Sequence, residues 1–148
     1  MEVMFSLLHV DLMVEDMERE LAFYKDVLGF EIFEDCILKS EAFLFLTEGR
    51  ATSMRLVFLG RNKRSTMIEL VQFLTDSGQP IQVSQLKFKW NLSFLVDDLE
   101  QAQQYLSKKG FKPLTSPHSI SLPTMGKANV TFLLDPENLL LELVAPIY

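Results

Sequence analysis

One cysteine, Cys36, occurs in 148 residues. No intrachain disulfide can therefore form, and no cysteine-based zinc motif exists. Cys36 reads as a small apolar filler on a strand, with a reactive thiol as the other reading. Basic residues are also scarce: 14 Lys and Arg stand against 20 Asp and Glu, a net charge of −6. That balance argues against nucleic acid and anionic membranes as partners. The shortage is local. Residues 1–80 carry 8 basic and 14 acidic side chains, whereas 81–148 carry 6 of each. The acidic excess reads as a solvated face around the first helix. Long apolar runs are missing, so no membrane span is expected. The first residues lack a basic segment followed by an apolar one, so no signal peptide is read, and the expected location is cytoplasmic.

What is abundant is apolar. Hydrophobic residues make up 48% of the chain, twelve of them Phe, and mean hydropathy is +0.14. This is slightly rich for a soluble monomer and points to an oligomer interface or an apolar pocket. The length suits one domain with a real core.

Periodicity organises the chain into two similar halves. Residues 6–14 alternate as a strand, with Leu8, Val10, Leu12 and Val14 on one side and Leu7, His9, Asp11 and Met13 on the other. Asp16 caps a helix that runs to about Leu28, with Met17, Leu21, Tyr24 and Leu28 as its buried stripe and Gly29 as its stop. Strands follow at 30–38, 53–59 and 66–74, with a short helix over 41–46. Gly60 to Ser65 is a hairpin connection whose Arg61, Lys63 and Arg64 read as a solvated tip, or as a grip for an anionic substrate tail. Asp76 to Pro80 is the strongest loop signal and the expected joint. Beyond it, Trp90, Leu92, Phe94 and Val96 form an apolar strand face opposite Lys89, Asn91, Ser93 and Leu95. Asp98 caps a second helix that ends at Gly110. Residues 113–127 read as a long, lid-like loop. Strands over 128–134 and 139–144 close the chain.

The halves repeat in detail. His9 to Glu18 matches Asn91 to Glu100, and Met67 to Val71 matches Leu140 to Val144. Each half thus opens on a polar residue in a strand and closes on a strand glutamate, Glu69 or Glu142. A carboxylate inside an apolar strand is costly unless it is paired, bound to a metal or open to a wet cavity. One such residue would suit an exposed edge strand. Two at equivalent positions, with His9 at the equivalent of Asn91, point to a shared site between two modules. The boundaries expected are about 5–75 and about 87–148, with a linker over about 76–86, all within a single domain.

Certain residues carry a family resemblance: His9-Val10, Ala22 to Phe30, Ile68-Glu69-Leu70, Phe94 to Leu99, Asp135-Pro136 and Glu142-Leu143. The chain resembles the vicinal oxygen chelate superfamily, which includes glyoxalase I, methylmalonyl-CoA epimerase, extradiol dioxygenases and bleomycin-type resistance proteins. The resemblance implies an α+β fold of two βαβββ modules related by a pseudo-two-fold axis, with mixed sheets forming a half-open barrel. It also implies a bound divalent metal and a homodimer. Carried over, the metal ligands are His9, Glu69, Asn91 and Glu142, where Asn91 replaces the usual histidine. Met13 and Phe73 stand where glutathione-using members carry polar anchors. Met13, Phe73, Ser93 and Met125 are the expected substrate pocket.

The chemistry implied is a lyase or isomerase of glyoxalase I type. Two adjacent substrate oxygens chelate Zn, Ni, Mn or Mg, an enediolate forms, and Glu69 or Glu142 moves the proton. An amide at position 91 suits Mg or Mn better than Zn or Ni. An extradiol dioxygenase needs two histidines and a carboxylate, but His9 is the only histidine among these candidates; His118 falls in the lid-like loop. The alternative is a metal-free protein that sequesters an aromatic or planar compound.

Overall fold

The strand at the centre of the molecule, β1 (Ser6–Met13), is apolar on both faces except where His9 and Asp11 interrupt the inner one. Residues 2–62 and 65–148 of this computed structural model are described. After β1 come α1 (Met17–Leu21), β2 (Glu31–Lys39), α2 (Ala42–Leu46), β3 (Ser53–Gly60) and β4 (Met67–Leu74). The second half comprises β5 (Trp90–Leu95), α3 (Leu99–Lys108), β6 (His118–Leu122), β7 (Gly126–Leu134) and β8 (Leu140–Ile147). Lys63 and Arg64 of the expected hairpin tip lie outside the described residues, and Arg61 is exposed.

The eight strands form one sheet in the order β2-β3-β4-β1-β5-β8-β7-β6. Within each half the first strand pairs parallel to the last, β1 with β4 and β5 with β8. The halves join where β1 runs antiparallel to β5. The sheet curls until β2 and β6 nearly meet, giving an α+β barrel with one unsealed seam. At that seam the Glu34 carboxylate of β2 accepts from the Thr124 and Met125 N–H groups, at 2.7 and 3.0 Å.

Burial explains the two layers. Helix α1 covers the outer face of the first half, where Met17 and Leu21 pack on Val57, Leu59 and Leu70. Helix α3 does the same in the second half, where Leu99 and Ala102 meet Val96, Leu133 and Leu143. Both helices begin on the aspartate expected: Asp16 accepts from Arg19 N–H at 3.1 Å and Asp98 from Gln101 N–H at 3.0 Å, each cap being worth about 1 kcal/mol. The inner face is lined by Leu56, Phe58, Val71, Phe73 and Phe132.

Two expectations are corrected. The first helix does not hold an α-helical stripe to Leu28. From Ala22 to Val27 it widens into a π-helix, and Leu28 N–H reaches back five residues to Phe23 C=O. Wider turns rotate later side chains off the stripe, so Leu28 is 44% exposed while Met17 is 1% exposed. Residues 113–127 are not one long loop. They contain β6, whose Ile120 and Leu122 point inward between the more exposed Ser119 and Ser121. The Pro and Ser around it masked this period-two signal. Within the expected linker over about 76–86, Ile81 and Leu86 are buried in the inner core.

Candidate active site

The joining of β1 and β5 creates the site. Strand register sets Glu69, Asp11 and Asn91 side by side across β4, β1 and β5. A second row places His9, Ser93 and Glu142 across β1, β5 and β8. Side chains on one face of neighbouring strands are about 5 Å apart, so six polar groups meet on the concave face. A bulge between Leu7 and His9 breaks the alternation of β1, leaving Leu7 47% exposed while Leu8 lines the cavity beside His9.

The cluster is buried and short-ranged. His9, Asp11, Glu69, Asn91 and Ser93 are all buried. One ligand-capable atom from each of His9, Asp11, Glu69 and Glu142 lies within 4.8 Å of the others. His9 Nδ1 is 2.5 Å from Asp11 Oδ1 and 3.5 Å from Glu69 Oε2, and its Nε2 is 3.9 Å from Glu142 Oε1. Asn91 Nδ2 donates to Asp11 Oδ2 at 2.6 Å. Ser93 Oγ donates to Glu142 Oε1 at 2.6 Å and approaches Asp11 Oδ2 at 3.1 Å. Phe58 meets the His9 ring edge-on, with centroids 4.8 Å apart.

The electrostatics follow from crowding. Burial pushes the Glu69 carboxyl up, and the Asp11 charge adds to this, leaving it well above the usual range. Burial and the Asp11 charge push Glu142 up to about 7, against the opposing pull of His9 and Ser93. Burial alone would lower the His9 imidazole, but the Asp11 carboxylate, with help from Glu142, holds it above its ordinary value. Burial alone would raise Asp11, but His9, Glu69 and Asn91 hold it below the carboxylate range. Three buried carboxyl groups at this spacing cannot all ionise without a cation among them. His9 Nδ1 and Asp11 Oδ1 are also buried and face each other as an ion pair, with no other hydrogen-bond partner. Buried polar atoms in that state call for an explanation, and one imidazole with three carboxylates is a donor set that holds a divalent metal.

Above the cluster opens a cavity of about 190 Å³. Of the residues expected in the pocket, Met13, Phe73 and Met125 line it, while Ser93 is fully buried beneath it. His9, Glu69, Asn91 and Glu142 all come together at its floor. Asn91 turns its amide nitrogen to Asp11 and Ser93. His118 sits on β6, stacked on Phe132 with centroids 6.2 Å apart. Asp11 is the member that sequence reasoning missed. It shares a strand face with His9, and the cost argument applied to Glu69 and Glu142 applies equally to it.

Comparison with known proteins agrees with this architecture. Residues 6–143 match the family model described as Glyoxalase/Bleomycin resistance protein/Dioxygenase superfamily. The chain is 28% identical to a lactoylglutathione lyase of Schizosaccharomyces pombe, over 95% of its own length but only 47% of that protein. It is 29% identical to the uncharacterized protein YraH of Bacillus subtilis, over 93% of this chain and 96% of the other. Methylmalonyl-CoA epimerase from Mycobacterium tuberculosis superposes with a TM-score of 0.67 at 19% identity, covering 97% of this chain and 89% of that one. At that identity the likeness speaks for the fold alone.

Proposed function

The chain belongs to the Glyoxalase/Bleomycin resistance protein/Dioxygenase superfamily, and from that premise we propose a divalent-metal-dependent lyase or isomerase of glyoxalase I type. It moves a proton between adjacent carbons of a small molecule that bears oxygen on both. The observation that carries this reading is the meeting of His9, Asp11, Glu69 and Glu142 within 4.8 Å at the floor of a cavity. These four side chains would hold the metal, and Asn91 would orient Asp11 rather than serve as the fourth ligand. A bound divalent cation supplies Lewis acidity to the adjacent substrate oxygens. A donor set rich in carboxylate oxygen suits Mn²⁺ or Mg²⁺.

Glu142 serves as the base. Without metal, burial and the Asp11 charge push its pKa up to about 7, near neutral pH, where a carboxylate both accepts and releases protons efficiently. Its side chain is 13% exposed, against 5% for Asp11 and 7% for Glu69, so it is the carboxyl most open to substrate. Ser93 Oγ, donating at 2.6 Å, fixes its orientation. Glu142 removes the proton from one carbon and returns it to the neighbour, and the apolar walls exclude water meanwhile.

Titration calorimetry with Mn²⁺, Ni²⁺ and Zn²⁺ tests the metal. The wild-type protein is expected to bind one equivalent and Glu142→Ala to bind more weakly. No binding of any of the three by wild type would sink the reading. In turnover, Glu142→Gln is expected to lose about 10²- to 10⁴-fold in rate. A second reading, a metal-free protein that sequesters its ligand, is favoured by the His9–Asp11 ion pair, which satisfies part of the cluster without a cation. Ligand affinity unchanged by EDTA would select it.

A further inference from the structure

The floor of the cavity is polar, but its walls are not. Phe58, Phe73, Phe132, Leu56, Leu122 and Val130 face the space above the cluster. Among the described residues lining it, the basic side chains apart from His9 of the cluster are Lys127 and His118. Lys127 is exposed at the mouth, and burial pulls the His118 imidazole below its ordinary pKa, so that it stays neutral. Among the described residues, no guanidinium or ammonium reaches the interior to meet a carboxylate or phosphate, and burying an unpaired charge there is costly.

Volume narrows the class further. A cavity of about 150 Å³ holds one benzene ring, and pockets for drug-sized ligands start near 300 Å³. At about 190 Å³, this one holds a ring or branched chain with a short extension.

We propose that the site takes a neutral compound in which an apolar ring or branched chain is joined directly to the two oxygen-bearing carbons. The apolar body would fill the walled space, so that a peptide-thiol or nucleotide tail would find no place within it. The oxygen-bearing end rests on the metal-dependent reading above; the apolar body rests on the walls alone.

Calorimetry on the full chain with Mn²⁺ decides between the classes. 1-Phenylpropane-1,2-dione is the probe, and lactoylglutathione and methylmalonyl-CoA are the competitors. The dione is expected to bind at least about tenfold tighter than either conjugate, the effect of burying one ring. Ala128→Phe fills the space and is expected to weaken the dione by a similar factor while leaving Mn²⁺ affinity unchanged. Should that variant fail to fold, Leu122→Ala enlarges the space and is expected to admit benzil, the two-ring dione. Equal or tighter binding of either conjugate to wild type overturns the proposal, as does a dione affinity indifferent to the wall variants. Failure of Mn²⁺ to bind sinks the metal reading instead. The same comparison on EDTA-treated protein then judges the apolar body by itself.

Discussion

Glu142 ionises against the habit of its type, and this has a measurable consequence. Its pKa is about 7 in the folded chain and about 4.3 in an unfolded one. Between those values the native state holds a proton that the unfolded state has lost, so stability falls as pH rises. The full contribution is present below about pH 4 and is gone above about pH 7; for Glu142 it is of order 3 kcal/mol. Glu69, raised by burial and the Asp11 charge, acts with the same sign. So does His9, raised through Asp11, whose contribution is lost as pH climbs through its folded pKa. Asp11 is lowered through His9 and opposes them only under acid conditions. The melting temperature of EDTA-treated protein should therefore fall from pH 5 to pH 8, and saturating Mn²⁺ should reverse much of that fall. A melting temperature that rises over this range without metal would contradict the ionisation scheme. The same residue shows where sequence reading stopped. Glu142, Glu69 and His9 were legible because each interrupts an apolar strand at a repeated position. Asp11 broke the same rule, but its repeat partner is the neutral Ser93, so the comparison that exposed the others passed over it. The role of Asn91 was hidden because it depends on the antiparallel register that places it opposite Asp11.

At the scale of elements, the seam is the most exposed design feature. Glu34 is 4% exposed and receives the Thr124 and Met125 N–H groups. It stands where the register of β2 against β3 shifts. Charged acceptors of two backbone donors are worth about 1.5–3 kcal/mol each. Glu34→Ala should lower stability by roughly 2–4 kcal/mol. It should also speed hydrogen exchange at Thr124 and Met125, and both effects would be absent if the turn were held by apolar packing alone. Element order was readable from helix caps and alternation, because those signals are local. The widened part of the first helix was not, since Ala22 to Val27 satisfy an α-helical pattern equally well. Strand β6 was not, because proline and serine around a five-residue strand resemble a loop until β7 is there to pair with it.

Across the whole molecule, apolar surface is unevenly placed. The widened helix presents Phe23, Val27 and Leu28 to solvent at 48%, 71% and 44% exposure. Such a surface suits contact with a second copy of the chain. Sedimentation velocity should give a dimer for wild type and a monomer for Val27→Asp; a monomeric wild type would leave this face without a role. The cavity faces the other way, inside the curled sheet, so association need not cover it.

The two-row arrangement across β4, β1, β5 and β8 carries a further consequence, for the order of assembly. The clustered side chains come from positions 9, 11, 69 and 142, which span most of the chain. Closing so long a separation is slow and is repaid only when the last strand docks. A chain emerging from the ribosome therefore holds His9, Asp11 and Glu69 long before Glu142 arrives. Until β8 pairs with β5, the acidic groups remain open to water and unconfined. On the proposed metal-dependent reading, a complete set of four ligands would thus form only once the two halves have found each other.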